Sequence, residues 1–205
     1  MYQIIDKKAI FNCDFDQELN GSILNDISQC DTVIFSNYED LNICLRTNFY
    51  FAKYYYSWKG SKFNQEIDNL PSSIINLTLD YKFNQPIDNL PSSIQNLTLG
   101  YCFNQEINDL PSSLINLTLG SNFNQKIDNL PSSLINLTLG EKFNRKINNL
   151  PQSICKIKFE THYYNRKIKK LPSNLKTIDI SGMSSKLVVI KKLKKFKKAN
   201  IEIIK

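Results

Sequence analysis

Histidine is nearly missing from this chain: His162 is the only one among 205 residues. Imidazole is the side chain that titrates nearest neutrality, so acid–base and nucleophilic schemes built on it have one candidate at most. No carboxylate or nucleophile stands at a recognisable spacing from His162. Glycine is also scarce, with six residues and no glycine-rich phosphate loop; HExxH and Cys/His clusters are absent. The sequence therefore offers no catalytic residue, no metal-ligand set and no cofactor motif, and it reads as a non-enzyme. The five cysteines, Cys13, Cys30, Cys44, Cys102 and Cys155, are odd in number, irregular in spacing and without a CxxC pair. That pattern suits scattered thiols in a reducing compartment rather than a disulfide framework. No stretch approaches the ~20 apolar residues of a membrane span. Met1–Lys8 lacks the apolar core and cleavage site of a signal peptide. An intracellular location is the expectation.

What the chain has in abundance is one phrase. Phe63-Asn-Gln-Glu-Ile-Asp-Asn-Leu-Pro-Ser-Ser-Ile-Ile-Asn-Leu-Thr-Leu79 recurs from Phe83, Phe103, Phe123 and Phe143, each start 20 residues after the last. A fixed period of this size marks a stacked repeat. Leu77-Thr78-Leu79 alternates as a strand with one buried face does, and Ile74 three residues earlier completes a Leu-x-x-Leu-x-Leu strand phrase. Pro71 has no N–H for a sheet ladder, which puts Leu70-Pro71-Ser72-Ser73 on the return path. Asp80, Gly100, Gly120 and Gly140 follow the strands, where a tight bend suits Asp or Gly. Phe63, Ile67, Leu70, Ile74, Leu77 and Leu79 form the inward set. One such unit cannot bury enough apolar surface to offset the entropy of ordering about 20 residues. Several must stack, and nine or ten turns at strand spacing give a solenoid roughly 45 Å long.

The phrase Phe83-Asn-Gln-Pro-Ile87, followed by Leu90-Pro-Ser-Ser-Ile94 and Leu97-Thr-Leu-Gly100, resembles the FNIP repeat. That family is related to leucine-rich repeats and occurs in social amoebae and in giant viruses that infect them. The resemblance covers at least Phe63 to Gly182. It departs at the proline of the name, which survives only as Pro86 and is replaced by Glu66, Glu106, Lys126 and Lys146. It implies a protein-interaction module in an amoebal or viral setting, with a host-cytoplasmic location if viral. Some relatives begin with an F-box-like segment that recruits ubiquitin-ligase machinery; no such pattern stands here. The expected architecture is a leucine-rich-repeat-like solenoid with a parallel β-sheet on the concave face, a mostly irregular convex side and a short C-terminal helix cap. One domain, 1–205, is expected: degenerate N-terminal repeats and cap over 1–60, regular repeats over 61–182, and a basic helix–strand cap over 183–205.

Both ends follow from spacing. Asp6, Ala9, Phe11 and Phe15 stand at the offsets of Ile94, Leu97, Leu99 and Phe103, and Cys30-x-x-Val33-x-Phe35 fits the strand phrase. Leu41, Cys44 and Leu45 suggest a short helix within Tyr38–Arg46. In the aromatic run Phe49–Trp58, Tyr54, Tyr56 and Trp58 read as a strand preceding the regular array, while Tyr50 and Tyr55 read either as core or as a binding patch. Ile154-x-x-Ile157-x-Phe159 and Leu175-x-x-Ile178-x-Ile180 continue the array, with one inserted residue near Thr161–Tyr164. From Ser184 or Ser185, Leu187, Ile190, Leu193 and Phe196 predict a Ser-capped helix, and Ala199–Ile204 a final strand covering the array's last edge.

Two surfaces are candidates for binding. Beside inward Leu77 and Leu79, the side chains of Asn76 and Thr78 face out, as do Asn96, Thr98, Asn116, Thr118, Asn136 and Thr138. In leucine-rich-repeat folds this is the concave binding face. The same ladder also reads as a structural one, like residues bonding between turns, and the readings are compatible. Lys156 and Lys158 break it. The Asn-Leu-Thr copies spell glycosylation sequons, but glycans on adjacent 4.8 Å rungs would collide. The second surface is electrostatic. Residues 1–140 carry 8 Lys or Arg against 15 Asp or Glu, and residues 141–205 carry 18 against 4. Lys191, Lys192, Lys194, Lys195, Lys197 and Lys198 could hold nucleic acid or another polyanion, unspecifically and through phosphate. A third reading has the acidic and basic ends of neighbouring molecules associating. The main expectation is a non-enzymatic scaffold for a protein partner.

Overall fold

The architecture was established from a computed structural model, which describes residues 2–35, 61–161, 163–183, 186–193 and 201–205. The repeat phrase folds as its alternation requires. Asn76–Leu79 (β4), Asn96–Leu99 (β5), Asn116–Leu119 (β6) and Asn136–Leu139 (β7) are strands with both leucines buried and Asn and Thr half-buried on the opposite face. Lys156–Phe159 (β8) and Thr177–Asp179 (β9) continue the series. Before it stand Tyr2–Ile5 (β1), Lys8–Phe11 (β2) and Thr32–Phe35 (β3); Glu202–Ile204 (β10) comes last. The ten strands form one sheet in sequence order. Every pairing from β2 to β10 is parallel and residue-for-residue, so Leu97 lies beside Leu77 and Leu117. β1 alone runs against the array, in a hairpin with β2 whose two turn residues, Asp6 and Lys7, both take positive φ.

The interior is a stack of identical layers. Phe63, Ile67, Leu70, Ile74, Leu77 and Leu79 are all buried, as are their counterparts in most later turns. The phenylalanines form a column packed against the last inward residues of the strands, as Phe15 is on Phe11 at 4.5 Å and Phe63 on Phe35 at 3.8 Å. Successive rings from Phe63 to Phe143 lie 6.0, 6.1, 6.1 and 6.3 Å apart, with planes tilted 7°, 6°, 6° and 5°. Tyr164, displaced by the one-residue insertion, takes the next place at 6.5 Å, and its hydroxyl donates to the Arg145 carbonyl at 3.0 Å. Paired strands sit about 4.8 Å apart. The ring column is thus ~1.3 Å longer per turn than the sheet. The solenoid therefore curves with its sheet on the inside.

Polar groups of the return path are tied from turn to turn, as backbone removed from water must be. The Asn84 N–H donates to Asn64 Oδ1 at 2.8 Å, and Gln85 Nε2 reaches back to the Asn64 carbonyl at 2.9 Å. The same pair recurs at Asn104–Gln105 and Asn124–Gln125. The serine two residues after each later proline, Ser93, Ser113, Ser133 and Ser153, donates to the carbonyl of residue 74, 94, 114 or 134. Asp16 begins the series, accepting from Asn64 N–H and Gln65 Nε2, both at 3.0 Å.

Three expectations are corrected. The glycines are not demanded by a bend, since none has positive φ. They are demanded by closeness: a Cβ on Gly120 would stand 2.0 Å from the Gly100 carbonyl oxygen, and one on Gly140 2.1 Å from that of Gly120. Second, the helix cap expected at the C-terminus is overturned. The helix that the spacing did not reveal lies near the N-terminus, at Gly21–Asp26 (α1), running on through a 3-10 turn at Ile27–Gln29. The Asn20 side chain caps it, accepting from Ile23 N–H at 3.2 Å, while Ile23 and Ile27 face the core. The C-terminal helical stretch, Lys186–Leu193 (α2), is no lid. It is the return leg between β9 and β10, and β10 forms the last edge of the sheet. Third, the parallel sheet has its antiparallel exception in β1. The neighbour of β4 is β3. The helix expected over Tyr38–Arg46, the strand over Tyr54–Trp58 and the patch at Tyr50 and Tyr55 fall on residues outside those described, as do His162, Ser184, Ser185 and Phe196.

Candidate binding surface on the concave face

The parallel register turns two positions per strand into two columns along the inner curve. One column carries Thr32, Asn76, Asn96, Asn116, Asn136, Lys156 and Thr177; the other carries Ile34, Thr78, Thr98, Thr118, Thr138, Lys158 and Asp179. The asparagines form a continuous hydrogen-bonded line. Asn136 Nδ2 donates to Asn116 Oδ1 at 2.6 Å, Asn116 Nδ2 to Asn96 Oδ1, and Asn96 Nδ2 to Asn76 Oδ1 at 2.6 Å. Asn76 Nδ2 then donates to Thr32 Oγ1 at 3.0 Å, and that hydroxyl to Asp31 Oδ1 at 2.7 Å. Every donor points towards the N-terminal end, and the line finishes on a carboxylate. Spacing showed which side chains face out but not this polarity or its anchor; Asp31, next to the Thr32 that opens the column, was the available signal.

At the other end the face changes character. Lys158 Nζ lies 3.0 Å from Glu160 Oε1 and is largely covered, whereas Lys156 is exposed. Asp179 is buried, which by itself raises a carboxyl pKa. The Ser181 hydroxyl and N–H, at 2.7 and 2.9 Å, together with Lys158 and Lys156, overcome that and hold it below its ordinary value. Eight of the ten expected concave residues therefore lie in the four Asn-Thr strands and Lys158 in an ion pair, leaving Lys156 as the exposed cation at the boundary.

Also on the rim where the strands end, Tyr81 and Tyr101 stack with ring centres 5.0 Å apart at 13°, and Tyr101 is exposed. Their spacing of 20 residues was the signal for this pair. Of the polyanion set, Lys191 is exposed on α2 and Lys192 lies on the same helix. Lys194, Lys195, Lys197 and Lys198 are outside the described residues. Burial pushes the thiols of Cys30 and Cys102 upward, the reverse of an activated nucleophile. Among the described residues there is no group of three or more His, Cys, Asp or Glu side chains placed to hold a metal ion, and no helix long and apolar enough to cross a membrane.

The FNIP Repeat family matches residues 63–102, 103–142 and 123–162. The chain is an FNIP-repeat protein. A solved structure similar to this FNIP protein is the crystal structure of CroV588, described as a novel circular LRR protein structure. The two share 28% identity with a TM-score of 0.60, over 87% of this chain and 28% of that one. The FNIP chain thus spans just over a quarter of the length of CroV588. No curated protein matches it.

Proposed function

We propose that residues 1–205 act as one non-enzymatic scaffold that binds another protein on the concave face, inside a cell of an amoeba or one infected by a virus. The observation that carries this reading is the inner face itself. Its Asn column is fixed by bonds between turns, so the surface is ordered before any partner arrives, and binding need not order it. The candidate contacts are Asn76, Asn96, Asn116 and Asn136, the threonines Thr78, Thr98, Thr118 and Thr138 beside them, and Lys156 and Lys158 at the charged end. Free thiols at Cys30, Cys102 and Cys155 support a reducing compartment.

The threonines allow a clean test, because they face out beside the Asn line rather than within it. Thr98→Arg with Thr118→Arg places two long cations on the inner curve. Glu106→Arg, on the exposed return path, is the control. A partner captured by the intact protein should lose saturable binding to the double variant, by tenfold or more in Kd, and keep it with the control. Equal binding by all three, with unchanged circular dichroism, would remove the concave face from the reading.

A further inference from the structure

The two ends of the array are complementary in every layer. On the sheet side, among the described residues, β10 pairs with β9 alone and β1 with β2 alone. The Glu202 N–H donates to the Lys176 carbonyl at 2.8 Å, and the Ile204 carbonyl accepts from Ile180 N–H at 2.9 Å. Backbone groups alternate sides along a strand, so Ile203 between them turns its N–H and carbonyl outward, a ready pairing edge. Each edge strand also shows an apolar side chain to solvent: Ile4 is 45% exposed and Ile204 38%. On the return side, helices α1 and α2 occupy the first and last crossovers between parallel strands. Glu18 and Asp26 are exposed at α1, Lys191 at α2. Residues 1–35 carry six acidic and two basic side chains, net −4; residues 183–205 carry eight basic and one acidic, net +7.

We infer that copies of this chain associate end to end, the β10 edge of one against the β1 edge of the next, with lysines of the α2 end facing carboxylates of the α1 end. The contact is head to tail, joins two different surfaces and so can propagate. Because β10 runs with the array and β1 against it, the joint is an antiparallel strand pair. Each copy carries its own bend, and the product is a curved assembly whose inner face is the asparagine–threonine surface continued. The charges bring the ends together and set their order, since two basic or two acidic ends repel.

Sedimentation velocity on the full chain tests this across protein concentration and salt. At about 20 mM salt the mass should rise with concentration beyond a dimer; at about 0.5 M, where the screening length is only a few ångströms, it should fall to the monomer. Ile203→Pro removes an outward N–H without touching the bonds to β9, and should abolish the association. Lys191→Glu should weaken it about tenfold at low salt. A monomer at low salt and the highest soluble concentration would overturn the inference. So would unaltered association of both variants with unchanged circular dichroism, or association that vanishes on nuclease treatment, which would put a polyanion at the basic end instead.

Discussion

Gly120→Ala is the substitution on which ordinary rules and this structure disagree in sign. Replacing glycine by alanine narrows the unfolded ensemble and, where the native backbone accepts a side chain, stabilises by ~0.4–1 kcal/mol. Gly120 has an ordinary φ, so backbone conformation raises no objection. The objection is the neighbouring turn: a Cβ there would lie 2.0 Å from Gly100 O, 2.4 Å from Gly100 C and 2.6 Å from Leu99 O. These are main-chain atoms of a strand held in register on both sides and cannot swing away. Restoring an ordinary carbon–oxygen contact of about 3.3 Å needs more than an ångström of separation between turns. That displacement would stretch the pairing of β5 with β6 and unseat Leu117 and Leu119. Overpacking of this kind costs ~1–3 kcal/mol and occasionally more; we expect about 3 kcal/mol, a fall in Tm of roughly 6–12 °C for a chain of this size. Gly21→Ala is the internal control. Nothing lies within 4 Å of its Cβ position, and it opens α1; a gain of up to ~1 kcal/mol is expected. Thermal and urea melts followed by circular dichroism measure both. If Gly120→Ala melts at or above the parent temperature, the close approach between turns is wrong, and with it the explanation of the glycine column.

Asn116→Ala removes a donor to Asn96 and an acceptor for Asn136; a loss of ~1–2 kcal/mol in urea melts is expected, larger than for Asn136→Ala at the end of the line. Phe103→Ala, in the middle of the buried column, should cost ~3–5 kcal/mol, whereas Tyr164→Phe restores the repeat residue at the loss of one hydrogen bond and should stay within ~1 kcal/mol of the parent. Asp179 has a depressed folded pKa, so its stabilisation is present above the ordinary carboxyl value of 3.8 and is lost as pH falls below it. Asp179→Asn should therefore flatten that acid limb of a Tm-against-pH curve, and an unchanged limb would contradict the assignment.

The regular turns were legible because each is a period-2 strand phrase repeated at a fixed interval, and a parallel register carries that interval directly into space. β2 and β3 were legible for the same reason, their Ala9, Phe11, Val33 and Phe35 standing at the right offsets and buried where expected. α1 lies between two strand phrases and carries no repeat signal of its own. Asn20 before Gly-Ser-Ile, with Ile23 and Ile27 four apart, was a capped helical turn in plain sight. The glycine column is visible in the sequence but its cause is not, since a turn preference is a property of one segment and closeness is a property of two. The charge of the C-terminal third is a property of composition, and composition carries no coordinates. On the concave face, the outward set followed from alternation, whereas the direction of the asparagine line depends on amide orientations that no spacing encodes.

Two lengths are built into each turn, one set by hydrogen bonds between strands and one by the spacing of the phenylalanine rings. Straightening the molecule would draw those rings off their 6.1 Å spacing and disturb the packed column, so the curve and the core change together. Its radius is accordingly a property of one position in twenty. A lineage that traded Phe63, Phe83 or Phe103 for something slimmer would change the curve without altering a single residue of the asparagine–threonine face.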